Sequence, residues 1–525
     1  MASRDKPMAS GSITSRIVRA AGAQGINQLA RIGQLFLLVP ICLSIWGTVH
    51  YEDWLLLNSI AAFVALADFG FIQATTVRLI DAWSKGEAER FSRDWAFALG
   101  LLLSVTAALT CLVAISWAAP IWTSLIPVRQ MHQGELVAIT ELLCFAQVVT
   151  ILVNLGLAVY RARGDLSRSY HVSSILVVLQ TVGIVAPAVL GYGPLGAAAG
   201  FCVLTLAVLA AVVADFRWRY PDMTWTPIWP SPLELWGSLR GAIGYLVSPV
   251  ATTIMLNGPN LILAHCGAPQ GAIALFTATR TIAGVARQLP YQFAHPAGVE
   301  LAGLLARGDG QRLARVYASA SRALAVTVGV LGGFIIVAAP LVMALWTRGK
   351  VTYDPVLMLL FVGATAICAP AQVAYMLLWY GGYPGRLSKA LIFSTALAMA
   401  LAFVLAPRFG ARGVTAGVGI GEIIGVAVYL SLLVDRMLGR RVGSGLLRNF
   451  WATLFSLSSS AACGYLVERL LTPHDWWGLV ELGLGWMVPV AAGVYLLFLD
   501  GAQQQRVAGA AVSFVRSRGV KSSVK

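Results

Sequence analysis

Residues 54–78 read WLLLNSIAAFVALADFGFIQATTVR. An α-helix needs roughly 20 apolar residues to cross the hydrocarbon core of a bilayer, and this run is long enough. One carboxylate, Asp68, interrupts it within Asp68-Phe69-Gly70-Phe71, and it ends on Arg78 before a charged loop. An acid at that depth is costly unless it faces protein or water. The same pattern of long apolar runs, short loops and a few embedded polar residues continues along all 525 residues.

Composition agrees. The chain is 58% hydrophobic and 12% charged, whereas soluble domains carry about 25% charged residues. The fold class is therefore an all-α polytopic membrane protein. No inter-span segment is long enough for a globular domain. Fourteen spans are expected near 26–48, 54–77, 95–117, 136–159, 170–190, 194–215, 241–264, 270–292, 323–346, 355–379, 388–406, 413–434, 450–470 and 476–499. The first apolar run is long and follows a polar, basic tail, so it reads as a retained span rather than a cleaved signal. The seven cysteines are scattered without CxxC spacing and read as small buried hydrophobes.

Loop charge sets the expected orientation. With both tails (1–24 and 501–525) cytoplasmic, the inner segments hold 29 Lys and Arg and the outer ones six, with Arg31, Arg280 and Arg287 inside spans. That asymmetry follows the positive-inside rule. It assigns the net charge of +15 to an anionic leaflet of membrane lipids rather than to nucleic acid. Trp46, Trp54, Trp122, Trp346, Trp476 and Trp477 fall at outer span ends, where amphipathic rings prefer the interface.

The chain also repeats itself. Lys85-Gly86-Glu87-Ala88-Glu89-Arg90-Phe91 recurs as Arg307-Gly308-Asp309-Gly310-Gln311-Arg312-Leu313, an offset of 222. Gly164-Asp165-Leu166-Ser167-Arg168 recurs as Gly385-Arg386-Leu387-Ser388-Lys389, an offset of 221. The small-residue strings at 193–200 and 410–417 correspond at an offset of 217. The expected organisation is two six-helix repeats, 25–220 and 221–440, followed by extra helices 13 and 14 in 441–500. Six is even, so both halves enter from one side and are related by an axis along the membrane normal, with a path between them.

Polar residues inside the spans mark that path. Gln24, Asn27, Gln28, Arg31 and Gln34 share one face of the first span at helical spacing. Thr253, Asn257 and Asn260 do so in the seventh, and Thr277, Arg280, Thr281, Arg287 and Gln288 in the eighth. The expected cavity residues are Arg31, Arg280, Arg287, Asn27, Gln34, Asn257 and Asn260. Each has a plainer reading: an interhelical hydrogen bond for the amides, a snorkelling cation for Arg31, an ion pair with Asp68 for Arg280. Asp68 is an ion site, an arginine partner or a structural acid at a glycine kink. Glu422, mid-membrane in the twelfth span, is the other candidate for proton or sodium coupling. Glu141 lies near an outer span end, and His295 precedes Pro296 at a helix break.

No P-loop, HExxH, GxSxG or metal-spaced Cys/His set is present, and no cofactor is expected. Adjacent Glu52-Asp53 in the first outer loop are the best hint of a membrane glycosyltransferase, but those enzymes also need a large outer loop or domain, and the plainer reading is an exposed turn. The expectation is a non-enzyme.

The opening span with Arg31 and its glutamines, Leu66-Ala67-Asp68-Phe69-Gly70 followed by Arg78, the Lys85-Gly86-Glu87 loop and Phe276-Thr277-Ala278-Thr279-Arg280 together resemble the polysaccharide flippase branch of the multidrug/oligosaccharidyl-lipid/polysaccharide exporter superfamily. The resemblance runs from about residue 20 to 500. It implies alternating-access transport of a polyprenyl-diphosphate-linked oligosaccharide across a bacterial inner membrane for polysaccharide export, with Arg31, Arg280 and Arg287 as cavity cations. Two features depart from the pattern. The cluster of acids and aromatics used by the multidrug branch is not evident. Spans 13 and 14 resemble instead the extra pair of the lipid-linked peptidoglycan precursor flippases. A multidrug or cation antiporter of the same fold is the rival reading.

Overall fold

The computed structural model describes residues 13–118, 131–221, 223, 225–229, 231–439 and 443–498. The expected tails at 1–12 and 501–525, Trp122 and Arg129 lie outside them. The described residues form helices and no strands.

The helices are α1 (Ile13–Val64), α2 (Phe71–Ser84), α3 (Ala88–Ala118), α4 (Gln133–Ala162), α5 (Leu166–Val189), α6 (Gly193–Arg219), α7 (Pro232–His265), α8 (Ala272–Ala306), α9 (Gly310–Thr347), α10 (Pro355–Cys368), α11 (Ala371–Tyr380), α12 (Pro384–Glu422), α13 (Tyr429–Met437), α14 (Ser444–Leu471) and α15 (Trp476–Phe498). A π-turn, Ile423–Val428, joins α12 to α13.

Nine helices among the described residues are long and apolar enough to span, or ten when α10 and α11, bent by 49°, count as one broken span. Two of these segments, Gly22–Ser84 and Pro384–Met437, are double length. Each folds two expected spans across a glycine: Gly47 (φ 75°) in α1 and Gly410 (φ 52°) in α12. Spans 8 and 14 fall on α8 and α15, which accounts for all fourteen. The second span is itself broken at the quoted stretch. A 3-10 turn, Ala65–Asp68, runs into left-handed Phe69 (φ 46°) and Gly70 (φ 76°) before α2 starts.

Small residues set the closest helix contacts. A Cβ on Gly200 would lie 2.2 Å from the Gly183 carbonyl oxygen, so α5 and α6 meet backbone to backbone. Gly417, Gly421 and Gly425 press in the same way on Ala402, Ala398 and Ser394. Helix α1 packs on α5, and α7 packs on α12. Helix α14 lies along α9, where Gly329 and Gly333 admit Ser456 and Ser460.

The cores decide where the interior opens. At one end an apolar cluster joins residues from both sides of the chain, Val39, Leu43, Tyr51, Trp54 and Ile139 with Ala278, Ile282, Met343, Trp346 and Met358, and a second beside it joins Leu56 to Leu263, Phe276 and Ala402. At the other end there are two separate clusters. One is confined to residues between Phe71 and Met223, and the other to residues between Ala294 and Val434. Apolar packing is thus shared at the end carrying the α1 bend and divided at the other, where the exposed side chains of Arg31 and Arg287 mark the cleft between the two clusters. Trp54 and Trp346 are 4% exposed, so they belong to the seal and not to a lipid-facing belt. Trp476 and Trp477, at 51% and 76% exposed, remain at the surface.

Candidate functional site

The cleft is lined from α1, α7, α8 and α12. At its closed end Glu52 carries the main polar contact. Its carboxylate accepts from the backbone N–H groups of Gly271 (3.0 Å), Ile273 (2.8 Å) and Ala274 (3.1 Å), the first turn of α8. Helix N-termini leave such donors unpaired and carry partial positive charge, so a buried carboxylate fits there. Two side chains reinforce the seal. Lys350 Nζ donates to the carbonyls of Leu43 (2.9 Å) and Ser44 (3.2 Å), and Trp346 Nε1 donates to that of Phe36 (2.7 Å). Glu52 and Asp53 are 3% and 1% exposed. Burial corrects the reading of the pair as an exposed turn.

Deeper in, Arg280 projects from α8 over the ring of Phe276 (5.3 Å) and donates from Nη1 to the carbonyl of Leu256. Pro259 lies within α7 one turn away. Arg280 makes no ion pair with Asp68. The Asp68 carboxylate instead accepts from Gly70 N–H at 3.2 Å, tying together the break in the second span. Of the readings open for Asp68, the geometry matches the structural acid.

Arg287, two turns further along α8, lies 3.2 Å from the Glu422 carboxylate and 5.3 Å from the Tyr291 ring centroid. Its side chain is 49% exposed although protein surrounds it, and Glu422 is 18% exposed. A side chain both enclosed and accessible lines a cleft. Arg31 is exposed on α1, with Nη2 at 3.5 Å from Ser173 Oγ, the limit of hydrogen bonding. Among the described residues, neither Arg31 nor Arg280 is paired with a carboxylate.

The amides divide. Gln28 Nε2 donates to Gln288 Oε1 at 3.1 Å, linking α1 to α8 across the cleft. Asn27 keeps a buried Oδ1 without a hydrogen-bond partner, and Gln34 is half-buried. Asn257 donates back to the Thr253 carbonyl at 3.1 Å and stays half-buried. Asn260 departs from the cavity expectation. It is 3% exposed, donates to Ser59 Oγ at 3.1 Å and accepts from Thr277 Oγ1 at 3.5 Å. It therefore ties three helix segments together inside packed protein. Sequence reading missed the Ser248–Tyr375 hydroxyl contact (2.9 Å) between α7 and α11 and the whole polar seal around Glu52. The side chain of His295 lies outside the description.

Solved structures with this architecture are membrane transporters. The lipid II flippase MurJ in an inward closed conformation aligns with a TM-score of 0.68 at 12% identity, over 91% of this chain and 99% of that one. An inward-facing multidrug resistance MATE family transporter aligns with a TM-score of 0.62 at 18% identity, over 85% and 98%. The chain shares the fold of these two transporters, the second of which belongs to the MOP superfamily. An outward-facing MATE family transporter of that superfamily aligns less well, with a TM-score of 0.56 at 18% identity over 81% and 96%. No protein-family model and no curated protein sequence matches the chain.

Proposed function

We propose that this transporter-fold protein flips a polyprenyl-diphosphate-linked oligosaccharide across a bacterial inner membrane by alternating access, for polysaccharide export. The observation that carries the reading is the pair Arg31 and Arg280, two cleft cations without carboxylate partners among the described residues. Such cations suit a diphosphate. Charge-assisted contacts strengthen where water is scarce, and guanidinium groups match phosphate geometry. Gln34, Asn27, Asn257 and the Gln28–Gln288 pair offer amides to sugar hydroxyls. The lipid tail would stay in the bilayer.

The two six-helix halves at 25–220 and 221–440 would move against each other about the cleft, with helices 13 and 14 docked on the second half. On the positive-inside rule both termini and the open end would face the cytoplasm, as in a carrier awaiting substrate from inside. A cation antiporter would need a free carboxylate in the cleft. Asp68 is engaged at a helix break and Glu422 by Arg287, which disfavours that alternative.

The test is cell-surface glycan in a strain lacking the protein, complemented with wild type or Arg280→Ala at matched membrane expression. The reading expects surface glycan to vanish, lipid-linked oligosaccharide to accumulate inside, and Arg280→Ala to fail to rescue. Normal surface glycan in the deletion strain, with no second flippase present, would refute it.

A further inference from the structure

The contact between Arg287 and Glu422 has a use beyond holding two helices together. Arg287 differs from Arg31 and Arg280 in having an acid within 3.2 Å. A carboxylate and a substrate phosphate compete for the same guanidinium edge, so while Glu422 holds Arg287 that cation is not available to substrate. The pair is not sealed in packed protein, since half of the arginine surface is open to the cleft. Glu422 also stands where α12 gives way to the π-turn Ile423–Val428. Such turns are uncommon, adjust register locally and recur at functional sites. The neighbouring Gly421 carbonyl is satisfied by Ser394 Oγ at 3.0 Å, so the backbone there is held by a side chain and not only by its own ladder.

A carrier working by alternating access must cross twice per cycle, once loaded and once empty. Closing the cleft around an unpaired cation is unfavourable, because desolvated charge needs a partner. In the loaded crossing a phosphate supplies it. We propose that Glu422 supplies it in the empty one: the carboxylate is a resident counter-anion that yields Arg287 to the phosphate of the substrate and reclaims it after release. This rests on the diphosphate reading above. No bond other than the ion pair is made or broken, and no proton need move. The titratable groups facing the pair are Tyr291 from α8 and Cys368 from α10, with Tyr375 from α11 facing the arginine. Among the described residues none of them offers a second carboxylate, so the role falls to Glu422 alone.

The experiment uses the full chain and a farnesyl-diphosphate-linked glucose as probe, whose doubly esterified diphosphate keeps its charge near neutral pH. Binding is measured in nanodiscs and flipping in proteoliposomes, as net movement and as exchange with probe on both leaflets. Glu422→Gln keeps the shape of the side chain and removes the charge. It should bind the probe on the order of tenfold more tightly, a typical coupling between competing interactions. Net flipping should slow, because it needs the empty crossing, while exchange, which returns loaded, stays near wild type. Glu422→Asp, which restores a carboxylate, should recover most of the net rate.

Unchanged or weaker binding in Glu422→Gln would overturn the proposal, as would net flipping and exchange falling together. Unchanged affinity with loss of the pH dependence of net flipping would make Glu422 a proton carrier instead, and also overturn it. If the wild type binds the probe no better than farnesyl glucoside lacking phosphate, the diphosphate reading itself fails and takes this inference with it.

Discussion

Glu52 offers the most direct test of how the cleft is kept shut at one end. Its carboxylate accepts three backbone N–H bonds from the first turn of α8 and is 3% exposed. Glu52→Ala leaves three buried donors without a partner. Each costs about 1–3 kcal/mol when water cannot reach it. The change also forfeits a helix-dipole contribution of up to ~1 kcal/mol. Water entering the space left by the side chain recovers part of this, so a net loss of about 3 kcal/mol is a fair figure. If opening this end breaks the contact, the loss falls on the closed form alone. The equilibrium should move toward opening at this end by about 100-fold, at roughly 1.4 kcal/mol per tenfold. Glu52→Gln keeps one acceptor oxygen and should move it by about tenfold.

The assay is labelling by a charged, membrane-impermeant thiol reagent added from outside. Asn257→Cys, in a chain freed of its native cysteines, serves as the target inside the cleft. Protection in the parent, partial labelling in Glu52→Gln and strong labelling in Glu52→Ala are expected. Equal protection in all three would refute the view that Glu52 holds the closed state.

Lys350→Ala removes one cation from the Leu43 and Ser44 carbonyls and should loosen the same end by about 1 kcal/mol, read as weaker labelling than Glu52→Ala. Asn260→Ala breaks buried bonds to Ser59 and Thr277; it should lower thermal stability by about 1 kcal/mol in a detergent melt while leaving probe affinity unchanged. Gly200→Val should abolish stable folding, because its Cβ would sit 2.2 Å from the Gly183 carbonyl oxygen, and size-exclusion of the solubilised protein reads this directly. Asp354 caps α10 and pairs with Arg412 at 2.8 Å. Burial raises its pKa, but the Arg412 and helix-amide hydrogen bonds outweigh this and hold it below the usual aspartate range. Its contribution is therefore full above the ordinary aspartate pKa and lost as pH falls through the lowered one. Arg412→Ala should flatten the acid side of the melting profile.

Much of the architecture was legible because membrane spans obey a strong local rule: backbone polar groups must bond within the segment, so long apolar runs become helices. The break at Asp68-Phe69-Gly70 was visible as an acid beside a glycine, and the exposed arginines were visible as charges at forbidden depth. What sequence could not show was pairing. Glu422 and Arg287 are separated by 135 positions, and Asn260 looks the same in a string whether it lines a cleft or meets Ser59. Trp54 and Trp346 read as interfacial aromatics because they sit at span ends, yet both are buried where the two sides of the chain meet. Span position alone does not distinguish a ring facing lipid from one facing another span.

The Glu52 contact also bears on the proposed halves. It joins residues 219, 221 and 222 apart, and the loop motifs repeat at offsets of 222 and 221. Positions related by a two-fold axis can touch only where that axis passes between them. Glu52 and its repeat partner Ala274 touch, so a two-fold relating the halves would run through the sealed end, beside the first turn of α8. The counterpart of the acid is an alanine, which makes the latch one-sided. A single carboxylate at residue 52 grips the helix start at 271–274, and Ala274 offers no side-chain acceptor in return. If the halves rock about this axis, the contact near it moves least in position but is made or lost as the helix start tilts. A small change in angle would then be enough to switch three hydrogen bonds at once.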